Sequence, residues 1–278
     1  MKIGFFITAR LKSTRLKQKI LLNLNGKSIL ERIIERCKAL PGLDGVVLCT
    51  STNPEDSILY DYAQNHKIKY FAGSEEDVLN RLQSAALYYG FDAFLSITAD
   101  NPLFSIYISQ IILNFYKQKK LDFIFSKGLP IGCCPALVTT QSLQIVNFIK
   151  KDNDTEIWGP FVNHSDIFNI GEIIVTNSPF KEEKRLTCDY PQDYLLLSKI
   201  YKYFPNDYLP DIHEILEIMK QNPAFWEINS MHQQRYLSDE EVKRINLIFN
   251  NKKNDALEYA TLIGKNLKSG YYKFEVEI

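Results

Sequence analysis

Arg10, Ser13, Thr14, Arg15 and Lys19 occupy a polar stretch that follows directly on the apolar run Ile3–Thr8. Two guanidinium groups, an ammonium and two hydroxyls beside turn amides are complementary to a polyphosphate. A nucleoside triphosphate carries about four negative charges near neutrality, and arginine forks, lysine and turn N–H groups supply matching charge and donors. A solvated basic loop would use the same residue types, so this stretch alone does not name a ligand. Two acidic positions sharpen the reading. Asp100 follows the apolar run Ala93–Thr98, Asp189 ends the strand-like run that starts at Arg185, and each stands two residues before a proline. Either aspartate alone suits a helix cap. Both together, in a chain that also offers a cationic loop, suit a divalent metal that bridges carboxylate and phosphate, because Mg²⁺ takes one or two carboxylates plus phosphate oxygens and water.

These residues meet only if the strands that carry them lie side by side. Short β-branched or aromatic runs alternate with amphipathic segments, the signature of parallel β-α units. Strands are expected at Ile3–Thr8, Gly45–Ser51, Lys67–Phe71, Ala93–Thr98 and Asp122–Phe125. Helices are expected from Ser28 to about Leu40, where Ser28 and Glu31 form a capping box, and over Pro54–Asn65, Ser74–Tyr89 and Ser105–Lys119. Ligands of open α/β sheets sit beyond the carboxyl ends of the strands. The basic loop, Thr52 in the turn after the second strand, and Thr98-Ala-Asp100 all fall at such ends.

Gly128–Gly132 interrupts the alternation. A strand at Ala136–Thr139, a helix from Gln141, a short segment near 156–163 and a strand at Phe168–Val175 read as an insertion, about residues 128–176, covering one end of the sheet. Helices are then expected over Asp193–Tyr203, Ile212–Gln221, Asp239–Asn250 and Asp255–Lys268, before a short apolar tail, Tyr271–Ile278. The division expected is a catalytic domain over 1–204 and a helical extension over 205–278. That extension packs on the core or on a second copy, the latter giving a homodimer.

With 278 residues and 45% hydrophobic content the chain can bury a full core, and 33 basic against 33 acidic residues leave no global field to attract nucleic acid or an anionic membrane. No apolar run is long enough to span a bilayer and no signal-peptide pattern precedes the first strand, so a cytoplasmic location is expected. The five cysteines lack zinc-site spacing and read as reduced, with Cys133-Cys134 in a loop. Among the histidines, His66 and His213 fall on helix surfaces, while His164 and His232 fall in loops. Neither a Gly-x-Gly-x-x-Gly turn nor a Gly-Lys-Ser/Thr loop is present, which argues against a dinucleotide or P-loop site.

Taken as a set, Ala9-Arg10, Ser13-Thr14-Arg15 and Lys19, Gly26-Lys27, Thr52–Asp56, Gly73–Arg81, Thr98–Leu103 and Leu186–Asp193 resemble the SpsF-like cytidylyltransferases. These belong with the acylneuraminate and 3-deoxy-manno-octulosonate cytidylyltransferases in the GT-A-like, Rossmann-like fold: α/β, with a mostly parallel sheet flanked by helices. Glu227–Asn229 and His232–Arg235 also resemble the tail such proteins carry. The resemblance implies CTP as donor, Mg²⁺ as cofactor, a sugar or sugar-acid acceptor, and a product destined for a surface glycan. It implies catalytic roles for Arg10, Lys19, Asp100 and Asp189, and nucleotide contacts from Ala9, Arg10, Ser13, Thr14, Arg15, Lys19, Thr52, Ser74, Arg81 and Thr98. Asp100 and Asp189 would hold the metal. Glu156–Phe161 resembles a further family stretch in which a histidine has become Ile157.

Two departures accompany the resemblance. Lys17-Gln18 stands where the family has Pro-Gly, and Ile131–Ala136 stands where it has Arg-Gly-x-Asp-x-Glu. The second loses an arginine and two acids, so an acceptor pocket built there would be apolar and thiol-lined. That loss leaves open a non-catalytic nucleotide-binding module, or an enzyme using another nucleotide or a sugar-phosphate acceptor.

Overall fold

The structure is a computed structural model and describes residues 1–180 and 184–278. Ile3, Phe5 and Ile7 face one hydrophobic layer while Phe6 faces the other, so the first strand is apolar on both sides, as a central parallel strand must be. This strand, β1 (Ile3–Thr8), is followed by a small hairpin, β2 (Asn23–Leu24) and β3 (Lys27–Ser28). Then come α1 (Ile29–Ala39), β4 (Gly45–Ser51), α2 (Ile58–Asn65), β5 (Lys69–Gly73), α3 (Val78–Tyr89), β6 (Ala93–Thr98), α4 (Ile106–Lys119) and β7 (Phe123–Lys127). The expected capping box is present at α1, where Glu31 N donates to Ser28 Oγ and Ser28 N to the Glu31 carboxylate. The expected second helix opens as a 3₁₀ turn over Pro54–Ser57.

β8 (Ala136–Thr139) leads to α5 (Thr140–Ile149), α6 (Gly159–Val162) and β9 (Asn169–Val175). The remaining elements are α7 (Pro191–Tyr201), α8 (Ile212–Gln221), α9 (Asp239–Asn251), α10 (Lys253–Leu262) and β10 (Gly270–Val276). Among the described residues the main sheet runs β10-β9-β7-β8-β6-β1-β4-β5. β8 is antiparallel to β6 and β7, and every other neighbouring pair in this sheet is parallel. α1, α2, α4, α7 and α8 contribute to the core on one face of the sheet, and α3, α5, α9 and α10 to the core on the other.

The C-terminal part is not helical throughout. The apolar tail forms β10, which lies parallel to β9 and extends the sheet rather than trailing from it. Alternation of Tyr272, Phe274 and Val276 with Lys273 and Glu275 gives it a two-residue period, and Phe274 packs on Phe115 of α4 with ring centroids 4.2 Å apart. Among the described residues no helix is long and apolar enough to cross a membrane.

Candidate active site

The ladder continues one residue past the strands at their carboxyl ends: Ala9 N donates to Cys49 O at 3.0 Å and Ala99 N to Thr8 O at 2.9 Å. The loops after β1 and β6 therefore leave the sheet side by side. Asp189 arrives from far along the chain. Its segment is not a ladder strand, but Cys188 N donates to Asp100 O at 2.8 Å, and Leu186 N to Ile131 O at 2.8 Å. Gly132 makes this packing possible. Its φ is +94°, and a Cβ there would lie 2.7 Å from Asn101 Oδ1 and 2.9 Å from Thr187 N.

These contacts bring the two aspartates onto one ammonium. Lys19 Nζ lies 2.6 Å from Asp100 Oδ2 and 2.7 Å from Asp189 Oδ1. Burial alone would lower the Lys19 pKa, but the two carboxylates outweigh it and hold the ammonium above its ordinary value. Burial likewise acts to raise Asp189, and Lys19, Arg15 and Arg185 reverse this, keeping it below the usual carboxylate range. Arg15 Nη2 reaches Asp189 Oδ1 at 2.8 Å, and Arg185 Nη2 reaches Asp189 Oδ2 at 3.0 Å. On the other aspartate, Thr98 Oγ1 donates to Asp100 Oδ1 at 2.5 Å while accepting from Asn101 Nδ2 at 2.6 Å.

Lys19 opens a 3₁₀ turn, Lys19–Leu21, and Gln18 before it is left-handed at φ 48°. That is the position at which the family has glycine. The turn forms without Pro-Gly, at a backbone cost of about 1 kcal/mol for holding a side chain in this region.

A cleft of ≈ 630 Å³ opens beside this cluster, lined by Arg10, Ser13, Thr14, Arg15, Lys19, Arg81, Thr98 and Asp100. Ala9 is not among its lining residues and is buried in the core. Ser74 lies beside an adjoining hollow, where its hydroxyl accepts from Asp77 N at 3.1 Å, and the Thr52 amide pairs with Gly73 O at 3.0 Å outside the lining. Arg81 is fully buried, with Nη1 on Ser74 O at 2.7 Å. Its Nε and Nη2 have no partner among the described residues, and burial lowers its pKa.

The cleft also receives residues to which the sequence assigned no site role. Asp154, Glu156 and Trp158 come from the insertion, and Arg235 from the irregular stretch before α9. Glu156 pairs with Arg10 at 3.3 Å and faces Arg235 at 4.0 Å. The likeness of 156–161 and 232–235 to family segments was the signal available. The thiol-lined wall expected at Ile131–Ala136 does not form: Cys133 is completely buried in the core and its thiol is pushed well up by that burial, while Cys134 is partly buried against the same core. The backbone of this loop serves to seat Thr187, and its cysteine side chain turns inward. His164 is also structural, stacked on Phe249 at 4.0 Å, whereas His232 stacks on Tyr190 at 3.8 Å beside the aspartate cluster.

The two carboxylates fit a hard divalent cation. Both sit against one positive centre, and all their donors are oxygens. Among the described residues no group of three or more His, Cys, Asp or Glu side chains is placed to hold a metal. A pair of this kind cannot close a zinc or calcium shell alone, but it suits an ion whose remaining ligands are water and phosphate oxygens.

Comparison with known proteins agrees with this architecture. The spore coat polysaccharide biosynthesis protein SpsF of Bacillus subtilis is 24% identical over 230 residues, 80% of this chain and 95% of that protein. An uncharacterized protein of Methanocaldococcus jannaschii is 30% identical over 244 residues, covering 87% of this chain and all of its own length (100%). Among solved structures, a cytidylyltransferase from Leptospira borgpetersenii superposes with a TM-score of 0.74 at 26% identity, covering 85% of this chain and 100% of that one. The fold is shared with a CMP:2-keto-3-deoxy-manno-octonic acid synthetase solved with CTP, at a TM-score of 0.55 and 15% identity over 73% of this chain and 98% of that one. The profile described as cytidylyltransferase matches residues 5–245, and so reaches beyond the α/β core into the stretch that supplies Arg235. On this match the chain belongs to the cytidylyltransferase family, the CTP-dependent nucleotidyltransferases.

Proposed function

We propose that this chain transfers CMP from CTP to a sugar or sugar-acid acceptor, releasing pyrophosphate, in the assembly of a surface polysaccharide or glycoconjugate. The observation that carries the reading is the meeting of Asp100, Asp189 and Lys19 at the end of a cleft lined by the loop after β1. Arg10, Arg15 and Lys19 hold the β- and γ-phosphates, with Ser13 and Thr14 hydroxyls as further donors. Arg81 lines the cleft with two nitrogens, Nε and Nη2, that have no partner among the described residues, and such donors suit the O2 and N3 acceptors of a cytosine.

The acceptor oxygen attacks the α-phosphorus in line with the departing pyrophosphate. Negative charge grows on that leaving group in the transition state, where prepositioned guanidinium and ammonium groups stabilise it more than they stabilise bound CTP. Asp100 and Asp189 would hold Mg²⁺, which when bound supplies Lewis-acid polarisation of the phosphate. Asp154, Glu156 and Arg235 also line the cleft, and their carboxylates and guanidinium suit the hydroxyls and acid group of a sugar acid. CTP chemistry of this type fits a cytoplasmic protein.

The test is pyrophosphate release from CTP and Mg²⁺ with a panel of ulosonic acids and sugar phosphates, alongside melting-temperature shifts with CTP, UTP, GTP and ATP. Acceptor-dependent release with the largest shift from CTP is the expected result. Tight CTP binding with no turnover on any acceptor would instead indicate a nucleotide-binding module.

A further inference from the structure

The stretch 229–238 crosses the back of the aspartate cluster, and residues 232–238 belong to no helix or strand. With no backbone ladder to guide them, their route is set by side chains, and those side chains converge on the segment that carries Asp189. Gln234 Oε1 accepts from Arg185 Nη1 at 2.6 Å. Arg185, only 3% exposed, then spends Nη2 on Asp189 Oδ2 at 3.0 Å and on Asp193 Oδ2 at 3.3 Å. Asn229, equally buried at 3%, donates Nδ2 to Asp193 Oδ1 at 2.7 Å and to Arg185 O at 3.1 Å. Asp193 in turn accepts from Asp189 N at 2.9 Å and Tyr190 N at 3.0 Å. On the outer side, the His232 ring stacks on Tyr190, and the Arg15 guanidinium lies 5.0 Å from the centroid of the same ring.

We propose that Asn229 and Gln234 are positioning residues for the metal-bearing carboxylate: through Arg185 and Asp193 they fix where the Asp189 carboxylate points. Asp189 Oδ2 is anchored by Arg185, which leaves Oδ1 turned toward Lys19 and Asp100. Without the brace, the Arg185 guanidinium loses its Nη1 partner and the Asp189 side chain gains rotamers that face away from Asp100. Partners that orient a metal ligand are commonly worth ten- to a hundredfold in metal affinity. The C-terminal stretch then serves the active site beyond the Arg235 side chain that it places in the cleft, and it reaches the basic loop through Arg185 and Asp189 and through Tyr190. This inference rests on the metal assignment made above.

Mn²⁺ titrated calorimetrically into the full-length protein saturated with CTP, without acceptor, tests it directly. Gln234→Ala and Asn229→Ala are expected to bind Mn²⁺ about tenfold more weakly than the wild type. CTP affinity in EDTA should stay within about twofold in both variants. Gln234→Glu, which keeps an acceptor for Arg185, is expected to restore Mn²⁺ affinity. Asp189→Asn is the control. If that variant loses Mn²⁺ while Gln234→Ala and Asn229→Ala bind it as the wild type does, the positioning role is wrong and the metal assignment stands. If Asp189→Asn also binds Mn²⁺ normally, the metal assignment itself falls and takes this inference with it. Gln234 is only half-buried, so its alanine variant reports even where Asn229→Ala folds poorly. A lowered melting temperature with unchanged Mn²⁺ affinity would reduce both residues to a structural role.

Discussion

Lys19 stands as the counter-ion of Asp100, Nζ to Oδ2 at 2.6 Å, and shares itself with Asp189 at 2.7 Å. The ammonium thus lies between the two carboxylates that we propose as the seat of a divalent cation. On the proposed reading CTP would offer Lys19 an alternative partner, and its phosphates would free the carboxylates. Replacing the ammonium by an apolar chain of similar length, Lys19→Met, should therefore raise Mn²⁺ affinity of the nucleotide-free protein about tenfold, or ~1.4 kcal/mol, while weakening CTP binding. Calorimetric titration with Mn²⁺ alone checks this, and equal affinities in the two proteins would count against the competition.

Asp100→Asn keeps the shape of the side chain and an oxygen for the Thr98 hydroxyl, but removes the charge. We expect turnover to fall by about three orders of magnitude or more, equivalent to some 4 kcal/mol in the barrier. The melting temperature should move by no more than a few degrees, since Asp100 lies at a strand end outside the hydrophobic core. Retained pyrophosphate release in this variant would refute the assignment of Asp100.

Gly132→Ala tests the packing that joins the two aspartates. The added methyl would meet Asn101 Oδ1 at 2.7 Å and Thr187 N at 2.9 Å, in a backbone region strained for alanine. A loss of about 1–3 kcal/mol in stability is expected. Because the clash pushes the Asp100 loop away from the Asp189 segment, activity should fall more steeply than stability predicts. Denaturant midpoints and pyrophosphate release, measured on the same preparation, separate the two effects.

His164 sets an acid limit on stability. Burial brings its pKa down to about 4 from 6.5, with Asp166 and the Pro160 carbonyl opposing the shift only in part. The folded state thus prefers the neutral ring, and the stabilisation this gives is complete above pH 6.5 and is lost as pH falls toward 4. It amounts to about 3 kcal/mol. His164→Phe retains a ring to stack on Phe249 and should flatten the decline in urea midpoint between pH 6.5 and 4. A decline as steep as that of the wild type would show that other groups cause it.

Much of the site was legible because it sits where strands end. The runs Ile3–Thr8 and Ala93–Thr98 end in the structure where their apolar patterns end, and the polar residues that follow each lie at the cleft. What the pattern could not give was direction. The Ser74 hydroxyl accepts from the Asp77 amide, Thr52 lies outside the cleft lining, and Cys133 turns into the core rather than toward an acceptor. Periodicity also marked Ala136–Thr139 as a strand without showing that it inserts antiparallel between β6 and β7. Arg235 and Glu156 were visible only as fragments of a resemblance, since a long-range ion pair leaves no trace in local spacing. β10 was short enough to pass for a tail, and only its partner, β9, makes it a strand.

That pairing imposes an order on biosynthesis. Asn177 exchanges two hydrogen bonds with Ile278, 101 positions further along the chain. While the residues between them are still being translated, the outer edge of the sheet has no neighbour and its backbone donors and acceptors remain open to other chains. Once β10 is in place it covers β9, and the open edge passes to a strand whose Lys273 and Glu275 disfavour pairing with another chain.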